Sequence, residues 1–156
     1  MGRALRIAPA GGTFQITTRG NRRQVTYVDD IDRSWAIALL AEVVEKFEWD
    51  LLAYCLMSNH HHYVVHTPKA NLSAGMQRLN GIWAQRFNWR HGFEGHLFER
   101  PFRSSLAKDD DAVREFVRYT LLNPVRAGMA ARPGRLALEQ LPRERRPRSG
   151  TQLSRP

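Results

Sequence analysis

Three consecutive histidines, His60-His61-His62, are the residues in this sequence best suited to hold a metal ion. On a β-strand alternate side chains share a face, so His60 and His62 point one way and His61 the other. Two imidazoles so placed can share one divalent ion, and His66 falls on the same face beyond Val64. The same pattern also suits a half-exposed polar strand, because two ligands rarely complete a site. Tyr119 and Asn123 form a second pair. They are four residues apart, so on a helix both project from one face. A tyrosine at the edge of an apolar stripe is commonly core, and Asn before Pro124 is a common helix end. Taken together, the four residues make chemical sense. Two imidazoles and an amide oxygen give a three-ligand divalent site with open positions, able to polarise a phosphate oxygen in an in-line displacement. The Tyr119 hydroxyl would be the nucleophile. Its ordinary pKa is about 10, so it needs help from the metal or a neighbouring base.

The elements that must position these side chains are readable from periodicity. Thr13 to Thr18 (TFQITT) alternates and is rich in β-branched residues, which predicts a strand followed by a basic turn, Arg19 to Arg23. Asp29 and Asp30 can start a helix running to about Phe47, with Ile37, Leu40, Val44 and Phe47 at helical spacing, widened by Leu39 and Val43. The apolar run Trp49 to Met57 predicts a buried strand, Ser58-Asn59 a turn, and His60 to His66 the returning strand. A second helix begins at Asn71 or Ser73, buries Leu72, Met76, Leu79, Trp83 and Phe87, exposes Gln77, Arg78, Gln85 and Arg86, and stops at His91-Gly92. His96 to Ala107 reads as a fourth strand, which Pro101 marks as an edge or a break. Asp109, Asp110 and Asp111 begin a third helix, with Val113, Phe116, Val117 and Leu121 as its buried face and Pro124 as its end. The order predicts an α+β fold: a ferredoxin-like β-α-β-β-α-β antiparallel sheet with an added C-terminal helix carrying the tyrosine.

Composition fits one folded domain. The chain has 156 residues, 42% hydrophobic and 25% charged. A single cysteine, Cys55, excludes an internal disulfide and a multi-cysteine zinc site. No apolar run reaches the length of a membrane span, and the N-terminus lacks the apolar stretch of a secretory signal, so a cytoplasmic location is expected. Lys and Arg outnumber Asp and Glu by 24 to 15, a net charge of +9, which suggests nucleic acid or another anionic partner. Residues 126–156 alone carry 8 basic and 2 acidic side chains. We read residues 1–132 as the folded domain and 133–156 as a basic tail expected to be disordered. Candidate DNA contacts are Arg19, Arg22 and Arg23 in the first turn, Arg78 and Arg86 on the second helix, Arg103, and Arg126. Exposed arginines are most often merely solvated. Trp89 and Phe93 could stack a base, but packing is the commoner fate of such residues.

Four blocks in order carry a resemblance. Met57-Ser58-Asn59-His60-His61-His62-Tyr63-Val64-Val65 resembles the His-hydrophobic-His block of single-tyrosine HUH transposases. Tyr119 through Gly128 (YTLLNPVRAG) resembles the block around their catalytic tyrosine. Gly95 to Phe98 with Phe102 to Ser104, and Ile16 to Asn21, match two further blocks. Within that superfamily the sequence is most similar to transposases associated with repetitive extragenic palindromes (REP), over roughly residues 3–132. The resemblance implies His60 and His62 as paired metal ligands, Asn123 as the third, and Mg²⁺ or Mn²⁺ as the ion. It implies that Tyr119 attacks a single-stranded DNA phosphate beside a hairpin, leaving a 5′-phosphotyrosine and a free 3′-hydroxyl. It also implies a monomer or homodimer working near the nucleoid. Departures are Gln15 where many relatives have histidine, Ser58 where they usually have proline, His61 in the normally hydrophobic middle position, and a different tail after Arg132. The alternative is a catalytically inactive or domesticated module that binds hairpin DNA or RNA.

Overall fold

A computed structural model describes residues 8–126, and for residues 124–126 the backbone alone. The elements are β1 (Gly12–Arg19), a 3₁₀ turn (Asn21–Arg23), α1 (Asp30–Phe47), β2 (Asp50–Leu56), β3 (His60–Thr67), α2 (Leu72–His91), β4 (Arg103–Leu106) and α3 (Asp110–Arg126). The four strands form one antiparallel sheet in the order β2-β3-β1-β4. This is the expected ferredoxin-like arrangement, with α3 added. The boundary expected at residue 132 and the tail beyond it lie outside the described residues. Among those residues no helix is long and apolar enough to cross a membrane.

The two long helices form where the stripes predict them. Asp29 caps α1 by accepting a hydrogen bond from the Asp32 amide at 2.9 Å. Gly92 closes α2 in the left-handed region, at φ +68°. Ile37, Leu39, Leu40 and Val43 of α1 and Leu72, Met76, Leu79, Trp83 and Phe87 of α2 are buried in the same core as Phe14, Ile16, Tyr54, Leu56, Tyr63 and Val65 of the sheet. The two helix ends are also tied electrostatically. Arg90 reaches Asp29 and Asp32, and His91 reaches the fully buried Asp32 carboxylate at 2.8 Å.

Four expectations need correction. The fourth strand is short: only Arg103–Leu106 pairs with β1, and Phe98 makes one isolated bridge to Gly20. Pro101 has no N–H for the ladder and Gly95 turns the chain at φ +85°, so residues 95–102 form a loop. Its backbone bonds go elsewhere: Asn21 N–H to Leu97 O at 2.7 Å and Glu99 N–H to Arg19 O at 3.0 Å, while Pro101 O accepts from Asn80 Nδ2 at 2.5 Å. Second, α3 does not end at Pro124 but runs to Arg126. The proline sits in the last turn, where its missing N–H costs a single bond. Third, Val113, Phe116, Val117 and Leu121 are half-buried, because α3 rests on the outer face of the sheet rather than in the main core. Fourth, Trp89 is 80% exposed and is not the packed side chain expected, whereas Phe93, though exposed, stacks on Phe87 with ring centroids 6.0 Å apart.

Candidate active site

The register of β1, β3 and β2 decides which side chains meet. Thr17 lies opposite His62, Thr18 opposite His61, and Cys55 opposite His62 on the other side. One face of the sheet therefore carries Phe14, Ile16, His61 and Tyr63 toward α1 and α2. The other carries Thr13, Thr17, Arg19, Cys55, His60, His62 and His66, with Arg103 from β4 opposite Thr17. α3 lies against this second face, mainly on β2 and β3.

On that face the His60 and His62 rings are 4.9 Å apart, edge to face. Each has its Nδ1 engaged: His60 with Asn59 Oδ1 at 2.7 Å, His62 with Thr17 Oγ1 at 3.0 Å. The Asn59 carbonyl can only accept, so His60 Nδ1 carries the proton and donates it. Thr17 can accept from His62 Nδ1 in the same way. Both Nε2 lone pairs are then left for a ligand, as metal-binding histidines require. Burial lowers the pKa of His60, helped by the Arg19 charge. His62 is pushed down to about 4 by burial, then by His60 and Arg19. At neutral pH both rings are the uncharged form that coordinates metals.

Tyr119 stands edge-on to His62, with ring centroids 5.9 Å apart, and is 44% exposed. Asn123 is half-buried one turn further along α3. The structure thus brings Tyr119 to His62 and sets Asn123 on the same helix face. His66 shares the face but lies four residues from His62, about 13 Å along the strand, and its Nδ1 is paired with Thr13 Oγ1 at 3.0 Å. Cys55 is buried beside His62, and burial pushes its thiol up to about 12, away from the thiolate a metal would need. Among the described residues no cluster of three His, Cys, Asp or Glu side chains could hold a metal. The donor set present is two neutral imidazoles with an amide on the facing helix, which fits a divalent ion that keeps several water or phosphate oxygens.

His61 points into the core, as the alternation predicts. Its Nδ1 pairs with the Tyr27 hydroxyl at 2.5 Å and its ring stacks on Tyr63 at 4.6 Å. Burial drives its pKa down to about 3.

The arginines divide. Arg19 and Arg103 are exposed on the histidine face. Arg22 and Arg23 are exposed in the adjoining turn, with φ of +53° and +58°. Arg78 and Arg86 are exposed on α2, across the sheet from the histidine pair, so the structure does not bring them to it. For Arg126 only the backbone is described. Sequence reasoning missed Thr17 and Asn59, which hold the two rings, and Arg100, which lines a cleft with Arg19 and Arg103. Thr17 could have been found only from the strand register. Asn59 was legible as a turn residue but not as a partner.

Comparison with known proteins agrees with this fold. A solved structure described as a REP-associated tyrosine transposase bound to a REP hairpin superposes with a TM-score of 0.67 at 19% identity, covering 84% of this chain and 77% of that one. A putative transposase from Deinococcus radiodurans R1 superposes with a TM-score of 0.50 at 15% identity, covering 79% and 95%. At these identities the likeness establishes the fold. No curated protein matches the sequence. The family model for IS200-like transposases matches residues 13–120, which takes in the strand of histidines and the tyrosine itself, and the chain belongs to that family.

Proposed function

We propose that the protein cleaves and rejoins single-stranded DNA beside hairpins formed by palindromic repeats, using Tyr119 as nucleophile and a divalent ion held by His60, His62 and Asn123. The observation that carries this reading is Tyr119 standing edge-on to His62, whose ring pairs with His60 and whose Nδ1, like that of His60, is engaged by a neighbour. The Tyr119 oxygen forms a bond to phosphorus, and the bond from phosphorus to the 3′-oxygen breaks. The proton lost by tyrosine ends on the departing 3′-hydroxyl. The product is a 5′-phosphotyrosine, whose ester retains the energy needed for a 3′-hydroxyl to reseal the strand. A bound Mg²⁺ or Mn²⁺ would supply Lewis-acid stabilisation of the charge on the phosphate oxygens. Thr17 and Asn59 fix the ring orientation of the two histidines, and Arg19 adds positive charge beside them. Arg19, Arg22, Arg23 and Arg103 lie where a strand crossing this face would run. Arg78 and Arg86 would serve only DNA that wraps to the opposite layer. A cytoplasmic site of action at the nucleoid, and a substrate like the hairpin bound by the structural neighbour, belong to this proposal.

The test mixes the protein with labelled single-stranded hairpin DNA from the repeats flanking its own gene, with and without Mn²⁺, on a denaturing gel. A metal-dependent covalent shift that vanishes in Tyr119→Phe is expected. An adduct that survives in Tyr119→Phe sinks the assignment of the nucleophile. Binding on a native gel with no adduct in any condition favours the inactive hairpin-binding module.

A further inference from the structure

At the β1–β4 edge, next to Thr17, a small cleft opens under the 95–102 loop. Its volume is about 80 Å³. A water molecule occupies about 30 Å³ in the liquid, and sites for drug-sized molecules start near 300 Å³. The cleft is small, and has room for a phosphate group. Three guanidinium side chains line it: Arg19 from β1, Arg100 from the loop and Arg103 from β4. None of the three is in an ion pair among the described residues. Glu99 is the one acidic side chain in the lining, so the cleft carries a net formal charge of +2. The backbone on both sides of Arg100 is held, at Glu99 by the Arg19 carbonyl and at Pro101 by Asn80. Arg100 is thus presented on a fixed frame, which reduces the ordering cost of binding.

We infer that this cleft is an anion subsite for one phosphodiester group of the single strand, beside the phosphate that reaches the histidine pair. The inference rests on the reading of the protein as a single-stranded DNA enzyme, and names where the neighbouring backbone is gripped. Thr17 lines the cleft and also holds His62 Nδ1, so the subsite and the metal-ligand pair share a residue. Arginine is the right residue here, since its planar fork matches two phosphate oxygens at once.

Binding of fluorescein-labelled oligo-dT of twelve nucleotides, without metal, followed by anisotropy from 50 to 200 mM salt, tests the inference. Each phosphate neutralised on a single strand contributes about 0.7 to the slope of log K against log salt. The double variant Arg100→Gln/Arg103→Gln should lower the slope by about 0.7, the loss of one phosphate, and each single variant by no more than that. Affinity at 100 mM salt should fall about fivefold. Glu99→Gln should bind more tightly than wild type. Lys46→Gln/Lys69→Gln, which removes the same charge as the double variant from outside the cleft, should leave the slope unchanged. An unchanged slope in the double variant overturns the subsite. So does a loss of about 1.4, which would mean two separate phosphates, or an equal loss in the lysine variant. The assay needs neither metal nor a covalent bond. A slope loss without any covalent adduct would keep the subsite and sink the strand-transfer reading.

Discussion

Replacing Thr17 by valine should weaken divalent-metal binding about tenfold while leaving the fold intact. Valine keeps the β-branched shape that suits the strand, so the ladder from Thr17 to His62 and to Arg103 survives. What disappears is the 3.0 Å contact to His62 Nδ1. One hydrogen bond of this kind is worth about 1 kcal/mol to stability, a fall in Tm of about 3 °C for a chain of this size. The effect on the metal is larger. Without its acceptor, the His62 ring is free to place its proton on Nε2, the atom that must stay bare. Loss of such an outer partner typically costs about 10- to 100-fold in affinity, or about 1.4 to 2.7 kcal/mol. The lower end is expected here, because His62 is also gripped by His60 at 4.9 Å and Tyr119 at 5.9 Å. Titration calorimetry with Mn²⁺ on wild type, Thr17→Val and Thr17→Ser measures this, with His62→Ala as the zero. Serine should restore most of the affinity. Equal affinities in wild type and Thr17→Val would refute the argument that Thr17 sets the His62 tautomer.

Two further predictions concern stability. His61 and His62 titrate near 3 and 4 in the fold but near 6.5 when unfolded. The unfolded chain therefore takes up protons first as pH drops, so stability is full above 6.5, falls below it, and stops falling on this account near 3. At pH 5 each ring should cost about 2 kcal/mol relative to pH 7. Urea unfolding at the two pH values reads this directly. The difference should shrink by about 2 kcal/mol in His61→Phe, and a flat profile in wild type would contradict the burial argument. The glycines of α2 should respond with opposite signs. A Cβ at Gly75 would overlap the Trp49 indole, which is anchored through Nε1 to Asn71 Oδ1 at 2.8 Å and cannot easily yield. Gly75→Ala should thus cost about 1–3 kcal/mol. A Cβ at Gly81 meets nothing within 4 Å, so Gly81→Ala should gain up to about 1 kcal/mol of helix propensity. Urea midpoints that move together for the two variants would refute this account of their surroundings.

The parts of the fold that could be read from sequence are those whose signal is local. The α1 and α2 stripes, the Asp29 cap and the Gly92 stop each depend on residues a few positions apart. The division of His60 and His62 from His61 follows from strand alternation alone. Legibility ends where pairing partners enter. Thr17 meets His62 across 45 residues, and Tyr27 meets His61 across 34, contacts set by register and topology rather than by any pattern within the chain. The fourth strand was overextended because its β-forming residues, Phe98 and Phe102, flank a proline whose loop finds its hydrogen bonds on β1 and α2 instead. Arg100 could not be singled out among exposed arginines for the same reason: the loop that presents it is defined by those long-range bonds.

The one residue of β3 that departs most from the expected His-hydrophobic-His pattern also helps to secure it. A strand with three histidines in a row has a weak signal for which way each should face, since a slip of one residue exchanges the two faces. In such a slip His61 would reach the face covered by α3, and the rings of His60 and His62 would enter the apolar core. The observed register is held from the core side. His61 bonds to the Tyr27 hydroxyl, stacks on Tyr63 and meets Phe98 edge-on, while Tyr27 itself stacks on Trp83 of α2. A slip would leave the Tyr27 hydroxyl without this partner and break each of these ring contacts. The cost of a buried polar side chain in the middle position is thereby offset in part, at Nδ1 and through the ring contacts, in this register. That register is the one that puts both outer imidazoles on the face where Tyr119 meets His62. The polar residue in the middle position is thus compatible with the observed register of the strand.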